Sequence, residues 1–219
     1  MDVVRVLLAE DHHLVRQGLR ALLEREPGIE IVGEAADGLE ALHLIEDLQP
    51  DVVVMDITMP GLNGLEVLWR VHQRLPEVRV LVLSVHEGEE YVLRALQAGA
   101  SGYLLKRSLS AELLLAIRAA LRGEVFLSPA VSRTFVARFL QGVSSEGSET
   151  PYDRLTPRER EVFQLIAEGY TNQAIAHRLG ISVRTVETHR ANLMDKVGIH
   201  DVAGLTRLAV QMGLVETIG

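Results

Sequence analysis

Apolar residues in the first 123 positions follow two alternating rhythms. The runs VVRVLLA (3–9), IEIVGEA (29–35), DVVVM (51–55), RVLVLS (79–84) and GYLLK (102–106) read as strands; the first four are rich in β-branched residues, and several are apolar almost throughout. That is the signature of parallel strands covered on both faces. Between them, stretches such as LVRQGLRALLERE and GLEALHLIEDLQ place apolar residues three and four apart, the period of an amphipathic helix. Asp37 with Glu40, and Asn63 with Glu66, match capping boxes at helix starts. The alternation predicts right-handed crossovers and a doubly wound α/β domain with a five-stranded parallel sheet.

The rhythm changes after residue 123. LSPAVSRTFVARFLQG (127–142) predicts one more helix, with Pro129 near its start. VSSEGSETPYD (143–153) keeps only Val143 and Tyr152 as apolar positions and has the composition of a linker. Helical patterns alone follow, so the expected organisation is a domain over 1–123, a connecting helix and flexible linker over 124–153, and a small all-α domain over 154–219. Thr156, Pro157 and Glu159 combine an N-cap, a first-turn proline and a capping box. Thr171 caps a short helix with Ala174, Ile175 and Leu179 inside, and Ser182 caps a longer one that ends before Gly198. A short helix, a tight turn with glycine and a longer helix form a helix-turn-helix. In VAGLTRLAVQMGLV (202–215), Val202, Leu205, Leu208, Ala209 and Met212 fall on one face of a final helix.

Composition narrows the chemistry. The 219 residues include no cysteine, which excludes disulfides and thiolate metal sites and suits a reducing compartment. The amino-terminal stretch MDVVRVLLAEDHH lacks the basic start and apolar core of a signal peptide. No segment approaches the length of a membrane span. A soluble, cytoplasmic protein is expected. The net charge of -8 is unevenly spread: residues 151–219 hold 8 Lys/Arg and 8 Asp/Glu, so the first 150 residues carry all of it.

The strongest chemical signal lies at the strand ends. Ligands of open parallel sheets bind beyond the carboxyl ends of the strands, where strand order reverses. In a 2-1-3-4-5 order, strands one and three adjoin at that point, and Glu10, Asp11 and Asp56 converge. Three carboxylates in one crevice call for a cation, and an all-oxygen set suits Mg²⁺. Ser84 and Lys106 end the fourth and fifth strands and bring a hydroxyl and an ammonium to the same rim. Carboxylate, metal, hydroxyl and lysine together describe phosphoryl transfer with Asp56 as nucleophile. A single acid at a strand end reads as a turn or cap residue; five such groups on four strand ends do not. His12, His13 and His86 read as exposed helix-start or loop residues. An enzyme with an aspartyl-phosphate intermediate is the rival reading, although Thr58 stands where a second acid would be expected.

These residues resemble the receiver domain of two-component response regulators, through LLAEDH, VVVMDITMPGLNGLE and VLVLSVHEGEEYVLRALQAGASGYLLK over about residues 3–123. The resemblance implies a flavodoxin-like fold and a phosphoryl group passed to Asp56 from a sensor histidine kinase. It implies Mg²⁺ held by Glu10, Asp11, Asp56 and the main-chain carbonyl of Thr58. Ser84 and Tyr103 would be the switch pair, with the aromatic ring turned inward after phosphorylation, and His86 is placed to modulate loss of the phosphate. Two positions depart from the commonest pattern: Ser84 stands for threonine, and Arg107 stands where many receivers have proline.

LTPREREV, AEGYTNQAIAHRLGIS and RTVETHRANLMDKVG similarly resemble the NarL/FixJ (LuxR-type) DNA-binding domain over about residues 153–215. Projection at 100° per residue puts Val183, Val186, Leu193 and Val197 on the packed side of the longer helix. Arg184, Glu187, Thr188, Ala191 and Asp195 lie opposite, with Thr185, Asn192 and Lys196 on a flank, and Arg190 projects near the packed side. Thr171, Asn172 and Ser182 sit where capping groups meet phosphates. Arg184 is a candidate to read guanine or hold a phosphate, Glu187 to accept from cytosine N4 and Ala191 to touch the thymine methyl. Glu187 and Asp195 replace basic residues usual in that family. The expected whole is a phosphorylation-switched transcription factor, not a metabolic enzyme, that binds promoter DNA as a homodimer.

Overall fold

Strands β1 (Val4–Ala9), β2 (Ile29–Ala35), β3 (Val52–Asp56), β4 (Arg79–Ser84), β5 (Gly102–Leu105) and β6 (Phe126–Leu127) pair in parallel in the order β2-β1-β3-β4-β5-β6. The computed structural model describes residues 3–133, 151–152 and 154–215. The chain divides into two units, Met1–Ser144 and Ser145–Gly219. The parallel sheet and its expected order stand, with one correction: six strands are present, not five. β6 falls where a connecting helix was expected, because a two-residue strand carries too little periodicity to be read. Helical backbone does begin at Pro129; its predicted continuation and the linker 143–150 lie outside the described residues.

Helices α1 (His13–Leu23), α2 (Gly38–Leu48), α3 (Gly64–Arg74), α4 (Glu89–Gln97) and α5 (Leu109–Leu121) cover the sheet. Successive strand side chains point to opposite faces, so each strand feeds two cores. Val53, Met55, Val82 and Tyr103 join Ile45, Val67, Leu68 and Val92 on one side. Val52, Val54, Leu81 and Leu83 join Leu19, Leu23, Leu113 and Ile117 on the other. This double burial is why β3 is apolar without alternation. Asp37 Oδ1 accepts the Glu40 N–H at 2.8 Å, while Glu40 returns to the Ala36 N–H, one residue earlier than a capping box places it.

In the second unit, α6 (Pro157–Ala167), α7 (Asn172–Leu179), α8 (Val183–Val197) and α9 (Val202–Gln211) enclose Phe163, Ile166, Ile175, Val186, Leu193 and Leu205. Thr156 and Glu159 form the full capping box at the start of α6. Gly180 and Gly198 end α7 and α8 in the left-handed region, at φ 62° and 68°. Three expectations are corrected here. Val183 and Val202 are 37 % and 41 % exposed, because each opens its helix before neighbouring elements close over it. Tyr152, assigned to the linker, is buried edge-on against Phe163 at 5.5 Å. No helix among the described residues is long and apolar enough to cross a membrane.

Candidate functional site

The adjacency of β1 and β3 puts Ala9 opposite Met55, and the chain then delivers Glu10 and Asp56 into one pocket. Lys106 enters from the end of β5 in a 3-10 turn, Lys106–Ser108. The start of α3 closes on β3 tightly: a Cβ on Gly64 would stand 2.1 Å from the Asp56 carbonyl oxygen, so a side chain here would displace the Asp56 backbone. The Gly64 N–H donates to the Ile57 carbonyl at 2.7 Å and fixes that approach.

Lys106 Nζ donates to Glu10 Oε1 at 2.9 Å and to Asp56 Oδ2 at 2.7 Å. The Thr58 N–H donates to Asp56 Oδ1 at 3.2 Å, and the His12 N–H donates to Glu10 Oε1 at 3.2 Å. One ligand atom each from Glu10, Asp11, His12 and Asp56 lies within 4.8 Å of the others. Glu10 is fully buried, and its Oε2 has no hydrogen-bond partner. Burial pushes the Asp56 carboxyl up to about 6, against the opposing pull of Lys106 and with help from Glu10. Burial alone would lower the Lys106 ammonium, but the Asp56 and Glu10 carboxylates outweigh it and hold it above its ordinary value. Fully ionised, three carboxylates facing one ammonium leave the pocket short of positive charge.

Ser84 ends β4, buried, and its Oγ accepts the His86 N–H at 3.0 Å. Tyr103 lies on the neighbouring strand, fully buried, and its hydroxyl donates to the His86 carbonyl at 2.8 Å. Burial pushes its hydroxyl above the usual phenol range, with the Ser84 hydroxyl alongside opposing the shift. The His86 ring stacks on Tyr91 at 4.3 Å. Glu10, Asp11, Asp56 and Lys106 are thus brought together, and Ser84 and Tyr103 are joined through the loop after β4. By its sequence position His12 is a helix-start residue. Its ring is exposed as expected, yet Nδ1 lies 2.9 Å from Asp11 Oδ1. Its position directly after two acids was the available signal.

In the second unit, Ser182, Arg184, Glu187, Thr188, Ala191 and Asn192 present an exposed face of α8, while Thr185 is half-buried. Ser182 Oγ accepts the Thr185 N–H at 3.1 Å, and Thr171 Oγ1 accepts the Ala174 N–H at 3.3 Å. Both hydroxyls therefore cap helices. Arg190 donates to Asn172 Oδ1 at 3.2 Å, a tie between α8 and α7 that agrees with its placement near the packed side. Lys196 does not stand free on the flank: Nζ donates to Glu159 Oε2 at 2.6 Å. Burial of Glu159 works against ionisation, but Lys196 and Thr156 together hold its carboxyl below the ordinary range.

Residues 6–118 match the response regulator receiver domain, and residues 153–209 match the bacterial regulatory proteins of the luxR family. The chain belongs to the LuxR family of DNA-binding response regulators in two-component systems. It is 41 % identical over 199 residues to the transcriptional regulatory protein LiaR of Bacillus subtilis, covering 91 % of this chain and 93 % of that one. It is 37 % identical over 225 residues to the transcriptional regulatory protein DegU of Brevibacillus brevis, covering 97 % and 95 %. Among solved structures, RcsB of Salmonella enterica serovar Typhimurium, bound to promoter rprA in the presence of phosphomimetic BeF3-, matches at 25 % identity. That match has a TM-score of 0.58 and covers 94 % of this chain and 98 % of that one. The relatives are transcription regulators, in keeping with a chain that is not a metabolic enzyme.

Proposed function

We propose that Asp56 accepts a phosphoryl group from a sensor histidine kinase, and that this acyl phosphate switches binding of promoter DNA by the helix-turn-helix. The carrying observation is the Lys106 bridge to Asp56 at 2.7 Å and Glu10 at 2.9 Å inside one buried pocket. An Asp56 oxygen attacks phosphorus; the P–N bond of the phosphohistidine breaks, its electron pair stays on the ring nitrogen, and the carboxylate keeps the phosphoryl group. Lys106 holds the carboxylate in place and offsets charge on the incoming phosphoryl oxygens. The Thr58 N–H orients the second Asp56 oxygen. Ser84 supplies a hydroxyl at the rim, and Tyr103, buried and hydrogen-bonded to the His86 carbonyl, would be its partner in the switch. The only transfer chemistry intended is phosphorylation and loss of phosphate at Asp56 itself.

The residues fit Mg²⁺: a buried, unpartnered Glu10 oxygen, oxygen donors from Asp11 and Asp56, and a deficit of positive charge all suit a hard divalent cation. Glu10, Asp11, Asp56 and the Thr58 carbonyl would hold it, and when bound it supplies charge stabilisation for phosphoryl transfer.

In this reading residues 1–123 are the phosphoacceptor domain, 124–153 connect, and 154–219 bind DNA. Thr171, Asn172, Ser182, Arg184, Thr185, Glu187, Thr188, Ala191 and Asn192 would face the duplex, with Lys196 reaching it only by giving up Glu159. Two copies on symmetric half-sites suit this architecture, and a cytoplasmic location suits a DNA ligand. Treating the full chain with phosphoramidate and Mg²⁺ should add one acyl phosphate by mass spectrometry and raise affinity for promoter DNA. Asp56→Asn should lose both effects; a variant that still gains a phosphate and switches would refute the assignment.

A further inference from the structure

Ser128, at the end of β6, fastens the tail of the first unit to β5 and lies outside the pocket. It is fully buried. Its N–H donates to the Tyr103 carbonyl at 2.9 Å, and the Phe126 N–H donates to the Ser101 carbonyl at 3.1 Å. Its hydroxyl accepts the Leu105 N–H at 3.1 Å and donates to the Glu112 carboxylate on α5. A hydroxyl carries one proton and two lone pairs, so one side chain satisfies an edge amide of β5 and anchors it to α5. Leu105 directly precedes Lys106, and Tyr103 lies two residues earlier. The edge of β5 is also shaped for this attachment: a Cβ on Gly102 would stand 2.8 Å from the Phe126 carbonyl oxygen. Beyond the clamp, the Ser132 N–H donates to the Ser128 carbonyl at 3.0 Å, so the helical turn leading away from the sheet starts on the same residue.

We propose that Ser128 is a positioning residue for the chemistry at Asp56. By holding the Leu105 amide it sets where β5 delivers Lys106, and it ties that setting to the chain leaving the sheet. The inference rests on the reading of Asp56 as phosphoacceptor. Without the hydroxyl, a buried N–H loses its acceptor, and the turn carrying Lys106 loses its nearest fixed point. A displacement of order 1 Å is enough to slow a positioned reaction substantially. Coupling between sites is reciprocal, so a force on the tail and a change at Lys106 report on each other.

The test compares the full wild-type chain with Ser128→Ala, Lys106→Met, their double variant and Glu112→Gln, which keeps an acceptor for the hydroxyl. In metal-free protein, exchange of the Leu105 amide should speed up by about tenfold in Ser128→Ala while amides of β1 and β3 keep their rates. Phosphorylation by phosphoramidate with Mg²⁺ should slow by about 3- to 10-fold in Ser128→Ala, yet show no further loss when Lys106 is already Met. Glu112→Gln should stay within about twofold of wild type. Should Ser128→Ala fail to fold, Ser128→Cys, nearly isosteric and a poorer acceptor, takes its place with the same expectations. Unchanged exchange at Leu105, an unchanged rate, or an equal slowing in both Lys106 backgrounds would overturn the proposal. A wild type that gains no acyl phosphate would bring down the Asp56 reading with it. A normal wild type beside an indistinguishable serine variant would bring down the positioning role alone.

Discussion

Asp56 carries a conflict that the fold does not relieve: the proposed phosphoacceptor role needs an ionised carboxylate, yet burial raises its pKa to about 6 from 3.8. A folded-state pKa above the unfolded one means that the folded protein binds the proton more tightly. Stability from this group is therefore complete below about pH 4 and is lost as pH rises through 6. Above pH 6, with a chelator present, the buried charge is a liability. Asp56→Asn should then be more stable than wild type at pH 7.5, by up to about 3 kcal/mol. Urea denaturation should show the gap closing toward pH 4. A variant less stable at pH 7.5 would mean that Lys106 and the Thr58 N–H more than offset the burial cost. Identity and position of Glu10, Asp11, Asp56, Ser84 and Lys106 were legible in the sequence, because each ends an apolar strand. That Lys106 bridges Glu10 and Asp56, and that Glu10 keeps an unpartnered oxygen, was not, because both depend on strands far apart in the chain.

At the scale of elements, the helix-turn-helix shows how local signals and tertiary contacts divide the work. Caps at Thr156, Thr171 and Ser182 were visible in the sequence, since a cap joins residues three apart, and the structure adds a fourth at Asp201. The Lys196–Glu159 tie joins residues 37 apart and gives a flank cation a second role, support for α8 against α6. Lys196→Met should cost about 1 kcal/mol of stability, measured by denaturation of the full chain. It should change the salt dependence of DNA binding less than Arg184→Ala, which removes an exposed cation from the same helix. The reverse ranking would restore Lys196 as a phosphate contact. Val183 was misplaced for a related reason: helical projection gives a direction, but exposure at the first turn depends on what neighbours that turn. β6 was missed because two residues in a sheet are recognised by their partner strand and not by their own pattern.

Across the whole molecule, the negative charge sits in the first 150 residues while the DNA-binding segment is balanced, with 8 Lys/Arg against 8 Asp/Glu. Each neutralised phosphate contributes about -0.9 to the slope of log affinity against log salt. With Glu187 and Asp195 exposed on α8, the slope should be shallower than the roughly six to ten phosphate contacts of strongly basic proteins produce. Titration of binding between about 50 and 200 mM salt measures it directly, and a slope as steep as those proteins show would contradict this picture. By itself the sequence determined the alternation of strands and helices, the two-part organisation, the acid, hydroxyl and lysine set, and the helix-turn-helix, because all of these are written in short-range periodicity, caps and strand ends. Tertiary structure alone decided the sixth strand, the Lys106 bridge, the Tyr103 hydrogen bond to the loop after β4, the Ser128 clamp and the Lys196–Glu159 ion pair. Each is a contact between residues distant in the chain, and such contacts exist only once the sheet order and helix packing have brought them within hydrogen-bonding reach.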